Sequence, residues 1–184
     1  MILDTGSGYT RPCYTLKLKK MKTRFFQLIL VLSTFLPLRA LQAQSREGQD
    51  LLNRYLAIKN ALVSGQVSQA ATESAAFSRE LGKFQPANLD AKGQENLKTY
   101  KATLLMSSSA MATTSSLSVQ REQFASFSDA MINLANLVKL GNSPVYVDYC
   151  PMKKSYWLSE EKAIRNPYYG NSMLTCGKIT DTLN

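Results

Sequence analysis

Two short runs near the C-terminal end carry soft ligands. Cys150 and Met152 stand two apart in "CPM", and Met173 and Cys176 stand three apart in "MLTC". Thiolate and thioether sulfur favour soft ions, Cu(I) above all. If the two segments lie side by side, four sulfurs converge on one ligand set. In an extended segment, residues two apart face the same side, which would aim Cys150 and Met152 together across Pro151. The same cysteines have a second chemistry. A Cys150–Cys176 disulfide would close a 27-residue loop, worth about 3–4 kcal/mol on the chain-entropy account. From the residues alone, a metal site and a structural disulfide both stand.

The rest of the composition narrows the classes. The 184-residue chain contains no histidine. That removes Ser-His-Asp and Cys-His catalysis, most zinc sites and the usual near-neutral proton switch. No nucleophile motif or glycine-rich cofactor loop is present, so the expectation is a protein that is not an enzyme. Asp148, Glu160 and Glu161 are the acids nearest the sulfur runs, but nothing in their spacing gathers them. Glu160 and Glu161 are adjacent and suit a helix N-terminus instead. Lys153 and Lys154 read as a solvated turn. Tyr146, Tyr149, Tyr156, Trp157, Tyr168 and Tyr169 make this the most aromatic part of the chain. They suit either a shell around a bound ion or a satellite core packed on the helices.

The elements that must position these residues are legible in the periodicity. From Ser45 to Gly65 the apolar positions Leu51, Leu52, Tyr55, Leu56 and Leu62 fall on one helical face, with Ser45 as cap and Gly65 as stop. A weaker stripe follows through Val67, Ala70, Ala71, Phe77, Leu81 and Phe84, and Pro86 ends it. A third helix is expected from Asp90 to about Thr113, facing inward through Leu97, Tyr100, Leu104, Leu105, Ser108 and Met111. A fourth runs from about Val119 to Lys139 on Phe124, Phe127, Met131, Leu134 and Val138, with Ser116 or Ser118 as cap and Gly141 as stop. Four amphipathic helices with short connections predict a mainly α fold, an antiparallel four-helix bundle over residues 44–141. Residues 142–184 change texture. "PVYVDYC" and "SYWLS" read as strands, "SEEKAI" as one helical turn, "NPYYGNS" as a turn and "MLTCGKITDTL" as a last strand. The expectation is a small β-rich cap belonging to the same domain.

The other end of the chain reads as a targeting segment. Met21 opens "MKTRFFQLILVLSTFLPLRALQA", with Lys22 and Arg24 ahead of an apolar run and Ala43 at a cleavage position, the layout of a signal peptide over residues 21–43. The run is short for a spanning helix, so no stable membrane insertion is expected after cleavage. Residues 1–20, which include Cys13, read as an over-extended start. Residues 1–43 hold seven of the 22 basic residues and one of the 13 acidic ones. The remainder has 15 basic and 12 acidic residues, a net of +3 against +9 for the whole chain. The basic residues left are scattered, which argues against nucleic acid as a partner. The expected location is periplasmic or secreted, where cysteine pairs can oxidise.

The runs "VYVDYCPM", "YWLS", "IRNPYYG" and "MLTCG", with "YLAIKNAL" and "FASFSDAMINL" in the helices, resemble a family of exported bacterial proteins built on a domain of unknown function. The resemblance covers about residues 51–183. That domain also occurs fused to periplasmic adaptor subunits of copper and heavy-metal efflux systems. The resemblance implies a heavy-metal-binding protein, with Cu(I) as the ion, Cys150, Met152, Met173 and Cys176 as ligands, and a metal-efflux adaptor or another periplasmic protein as partner. The alternative is a non-catalytic interaction module stapled by a Cys150–Cys176 disulfide. Two departures bear on the metal. Only Lys153 to Ser155 follow "CPM", where many members have a longer Asn- and Gly-rich turn. Gln123 precedes Phe124, where many members have a histidine.

Overall fold

The computed structural model describes residues 46–183. The expected over-extended start, the signal peptide, Cys13 and the Ser45 cap lie outside the described residues. Four helices come first: α1, residues 46–63; α2, Val67–Lys83; α3, Ala91–Thr113; and α4, Leu117–Leu137. Three strands follow: β1, Val145–Cys150; β2, Ser155–Ser159; and β3, Lys178–Leu183, with a 3-10 turn at Gly170–Ser172 before β3.

The helix ends follow local chemistry. Gly65, at φ +69°, turns the chain out of α1, a conformation that costs a glycine little. The Asp90 carboxylate accepts the Gly93 N–H at 2.7 Å and opens α3. Ser116 Oγ accepts the Val119 N–H and opens α4, as side-chain oxygens do for the orphan donors of a first turn. At the far end of α4 the expectation fails. The helix stops at Leu137 with Val138 as cap. Gly141 is instead placed where a Cβ would meet the Gln49 side chain at 2.5 Å. It serves a close approach to α1, not a helix stop.

The helices bury the faces that the spacing selects. Tyr55 stacks on Phe124 and Phe127, with ring centroids 5.5 and 5.6 Å apart, and Phe77 meets Phe127 edge-on at 4.6 Å. Leu81, Leu104, Met111, Met131 and Leu134 complete this core. Leu105, expected inward on α3, is exposed.

The sheet is antiparallel in the order β2-β1-β3. In β1 the inward alternation slips once. Val145 and Val147 are buried, then Asp148 and Cys150. The slip coincides with an irregularity in the β1–β3 pairing between Val147 and Asp148. The unpaired residue is Thr180 of β3, a bulge in the outer strand, while β1 pairs with β2 without interruption. β3 is an outer strand whose residues are mostly exposed. β2 packs on α4, and its Leu158 N–H donates to the Tyr55 hydroxyl at 2.9 Å. That hydroxyl also bonds Ser128 of α4, so one side chain joins α1, α4 and β2. Trp157, Leu158 and Cys150 belong to the same hydrophobic core as the helical residues.

Two expectations in this part are corrected. "SEEKAI" forms bends, not a helical turn. The Ser159 hydroxyl accepts the N–H of Glu161, two residues on, at 3.1 Å. A serine that satisfies so near a donor holds a turn in place of a helix start. In "MLTCGKITDTL" only Lys178–Leu183 is extended. The residues before it turn back on themselves, with the Cys176 N–H donating to the Met173 carbonyl at 3.1 Å.

Candidate metal centre

Cys150 is the last residue of β1. The turn that follows, Pro151 to Lys154, is closed by the Lys154 N–H on the Cys150 carbonyl at 2.8 Å. Lys154 adopts φ +56° to return the chain into β2. This geometry points the Lys153 N–H at Cys150 Sγ, 3.4 Å away. On the other side, Asn166 organises the segment that carries Cys176. Its side-chain oxygen accepts the N–H groups of Tyr168 and Tyr169 at 2.8 and 3.3 Å. Its amide nitrogen donates to the Cys176 carbonyl at 2.7 Å, and its backbone N–H reaches the Leu174 carbonyl at 2.9 Å. Gly177 then lies close to Trp157. A Cβ there would meet indole Cη2 at 2.7 Å and the Tyr149 carbonyl oxygen at 3.2 Å.

The outcome is a thiol pair. Cys150 Sγ and Cys176 Sγ are 3.6 Å apart, and both cysteines are free. That is well beyond the ~2.05 Å of a disulfide. Two sulfurs each bonded to one ion at about 2.3 Å stand roughly 3.5 to 4.6 Å apart, depending on the angle between the bonds. The spacing therefore fits two ligands of one ion. Cys150 is fully buried, while Cys176 is partly exposed.

The electrostatics separate the two thiols. Burial acts to raise the Cys150 pKa. The Lys153 N–H, the Asn166 amide, the Cys176 thiol and the Met152 N–H act the other way and hold it below the ordinary thiol value. Cys176 is pushed up, chiefly because its hydrogen bond to Cys150 keeps the proton on Cys176. Backbone N–H groups converging on one atom favour anions there, so this turn suits thiolate sulfur.

The methionines are placed differently. Met152 lies in the turn and is 62% exposed; Met173 follows the 3-10 turn and is 40% exposed. The two-residue period that would have aligned Met152 with Cys150 ends where the strand ends, at Pro151. Of the four expected ligands, the fold joins the two cysteines and leaves both methionines at the surface. Among the described residues no group of three or more His, Cys, Asp or Glu side chains gathers. Glu160 and Glu161 are exposed, with Glu161 paired to Arg165 at 3.4 Å. Lys153 pairs with Glu122 of α4. The aromatics divide as well. Trp157 and Tyr168 are core residues meeting edge-on at 5.9 Å, while Tyr149 and Tyr156 pack together across the strands at 4.6 Å.

Asn166 and Lys59 were not singled out by spacing, and Asp148 was named only as an acid that nothing gathers. Asn166 is completely buried; its signal is only an Asn-Pro step in a turn. Asp148 is also completely buried, and neither carboxylate oxygen has a hydrogen-bond partner among the described residues. Burial raises its pKa to about 6, against the opposing pull of Lys59. Lys59 of α1 is itself buried, and burial lowers its pKa. Asp148 stands opposite Trp157 in the β1–β2 register, and the indole N–H of Trp157 is likewise buried without a partner.

Among the described residues no helix is long and apolar enough to cross a membrane. No curated protein and no solved structure matches the chain. Residues 51–143 match the DUF3347 family, described as a protein of unknown function. The match ends at Ser143, ahead of β1, so the four sulfur residues lie beyond it. Because it spans more than half of the sequence, from α1 to the residues after α4, the chain belongs to the DUF3347 family.

Proposed function

We propose that this is an exported heavy-metal-binding protein, periplasmic or secreted, that holds Cu(I) on Cys150 and Cys176 and takes part in metal efflux or homeostasis. The observation that carries the reading is the 3.6 Å approach of two thiols from separate segments, with the Lys153 N–H directed at the buried one. Two thiolates and one monovalent ion leave a net negative charge, which that N–H favours. A soft, all-sulfur donor set without histidine or gathered carboxylates suits Cu(I) over harder ions. Met152 and Met173 flank the pair at the surface, where their thioethers serve as outer ligands during loading and release. A metal-efflux adaptor or another periplasmic protein is the partner in this reading, and the protein binds without catalysing. The helices, joined in sequence by short connections, are read as an antiparallel bundle that supports the sheet.

The test is Cu(I) binding by the reduced protein under anaerobic conditions, scored against a chromophoric Cu(I) chelator. One-to-one binding that disappears in the Cys150→Ser, Cys176→Ser double variant is expected. Met152→Leu and Met173→Leu should weaken it less. Failure of the reduced wild-type protein to compete with the chelator would remove the metal reading.

A further inference from the structure

We propose that Cys150 and Cys176 are also a reversible dithiol–disulfide couple, and that disulfide reagents or disulfide-bearing proteins close the metal-binding pair by oxidising it. The closure rests on the metal reading above; the couple does not.

The geometry carries the proposal. The sulfurs are 3.6 Å apart, so bond formation needs an approach of only about 1.5 Å to reach the ~2.05 Å of a disulfide. Cys150 is fixed by its strand and the turn after it. Cys176 lies between the Met173–Cys176 turn and the first residue of β3, in a partly exposed segment. The approach therefore belongs to Cys176. Exposure also sets the order of events, because an oxidant meets Cys176 first and Cys150 is shielded.

The step balances as ordinary thiol–disulfide exchange. Cys176, after losing its proton to solvent, attacks a disulfide RSSR; one S–S bond breaks and one RS⁻ leaves as Cys176–S–S–R forms. Cys150, also deprotonated, then attacks the Cys176 sulfur and expels the second RS⁻. The two thiolates released take up the two protons. The protein loses two hydrogens and two electrons, and RSSR becomes two RSH.

The Lys153 N–H, directed at Cys150 Sγ from 3.4 Å, distinguishes this couple from an inert staple. A neutral disulfide sulfur gives it a poorer acceptor than a thiolate does. Stabilising the reduced form makes a disulfide easier to reduce. Ions and oxidants then compete for the same two sulfurs.

The experiment uses the full chain with Cys13→Ser, so that only this pair reports, equilibrated with reduced and oxidised glutathione at graded ratios. Intact mass should show the loss of two hydrogens across a two-electron transition, reversed by dithiothreitol. In the Cys150→Ser variant the partly exposed Cys176 should be trapped as its glutathione mixed disulfide, while Cys176→Ser should stay unmodified. Oxidised protein should bind no Cu(I) and regain binding on reduction. Absence of an intramolecular disulfide at every ratio, or a disulfide that excess dithiothreitol leaves intact, overturns the couple. Oxidised protein that still binds Cu(I) overturns the closure. Disulfide formation in protein that never binds Cu(I) overturns the metal reading and upholds the couple.

Discussion

A carboxylate with two unsatisfied oxygens in a hydrophobic core is costly when ionised, and Asp148 is such a group. Its pKa rises from 3.8 to about 6 because burial disfavours the charge, with Lys59 opposing. The folded protein therefore holds this proton more tightly than the unfolded chain. The sign follows: stability from this group is greatest below the unfolded value and falls as pH rises from about 4 to about 6. A shift of this size corresponds to about 2–3 kcal/mol. Asp148→Asn should remove that slope, so that urea midpoints at pH 4, 5, 6 and 7 diverge from those of the wild type toward neutral pH. Parallel profiles for the two proteins would show that Asp148 does not carry the effect. Asn166 acts at the same scale. One buried amide holds the Tyr168–Tyr169 turn and the Cys176 carbonyl together, and this fixes where the second thiol stands.

Among the elements, the link between the Asn166 segment and β3 controls the site. Gly177 follows Cys176 directly and lies close to the Trp157 ring and the Ile164 side chain. A methyl group there would meet Cη2 at 2.7 Å and Ile164 Cγ2 at 3.1 Å. Gly177→Ala should cost about 1–3 kcal/mol through overpacking and draw Cys176 away from Cys150. Trp157 is the single tryptophan of the chain, so its emission reports this contact directly. A lower thermal midpoint with shifted emission is expected. Unchanged midpoint and emission would mean that the strand start yields freely. The turn after β1 has the complementary role. Lys154 accepts a left-handed conformation, and the resulting tight turn directs the Lys153 N–H at Cys150 and leaves Met152 exposed.

At the scale of the molecule, helices and sheet share one core. Phe127 packs between Tyr55 and Phe77, and Tyr55 passes that packing to β2 through Leu158. Phe127→Ala should cost about 3–5 kcal/mol, as large truncations in a core do. Helical circular dichroism and Trp157 emission should still be lost in one coincident transition. Two separated transitions would show that the sheet folds apart from the helices. How much of this was readable beforehand differs by element. The helical faces follow from three- and four-residue spacing, and Asp90, Ser116 and Gly65 mark ends through local chemistry, so the four helices were legible from the sequence. The strand texture of "VYVDYC" and "SYWLS" was equally local. The sulfur content of the candidate site was legible too, because the sequence sets two cysteines and two methionines in two short runs. The meeting of those sulfurs was a tertiary decision. Cys150 and Cys176 are 26 positions apart, and their approach depends on the β1–β3 register, its slip at Val147 and Asp148, and the segment folded around Asn166. Met152 and Met173 have the same spacing signal as the cysteines, yet each stands on a turn that directs it to solvent. Spacing along a chain specifies one face of one element; convergence between elements is set by packing and pairing that no short window of sequence contains.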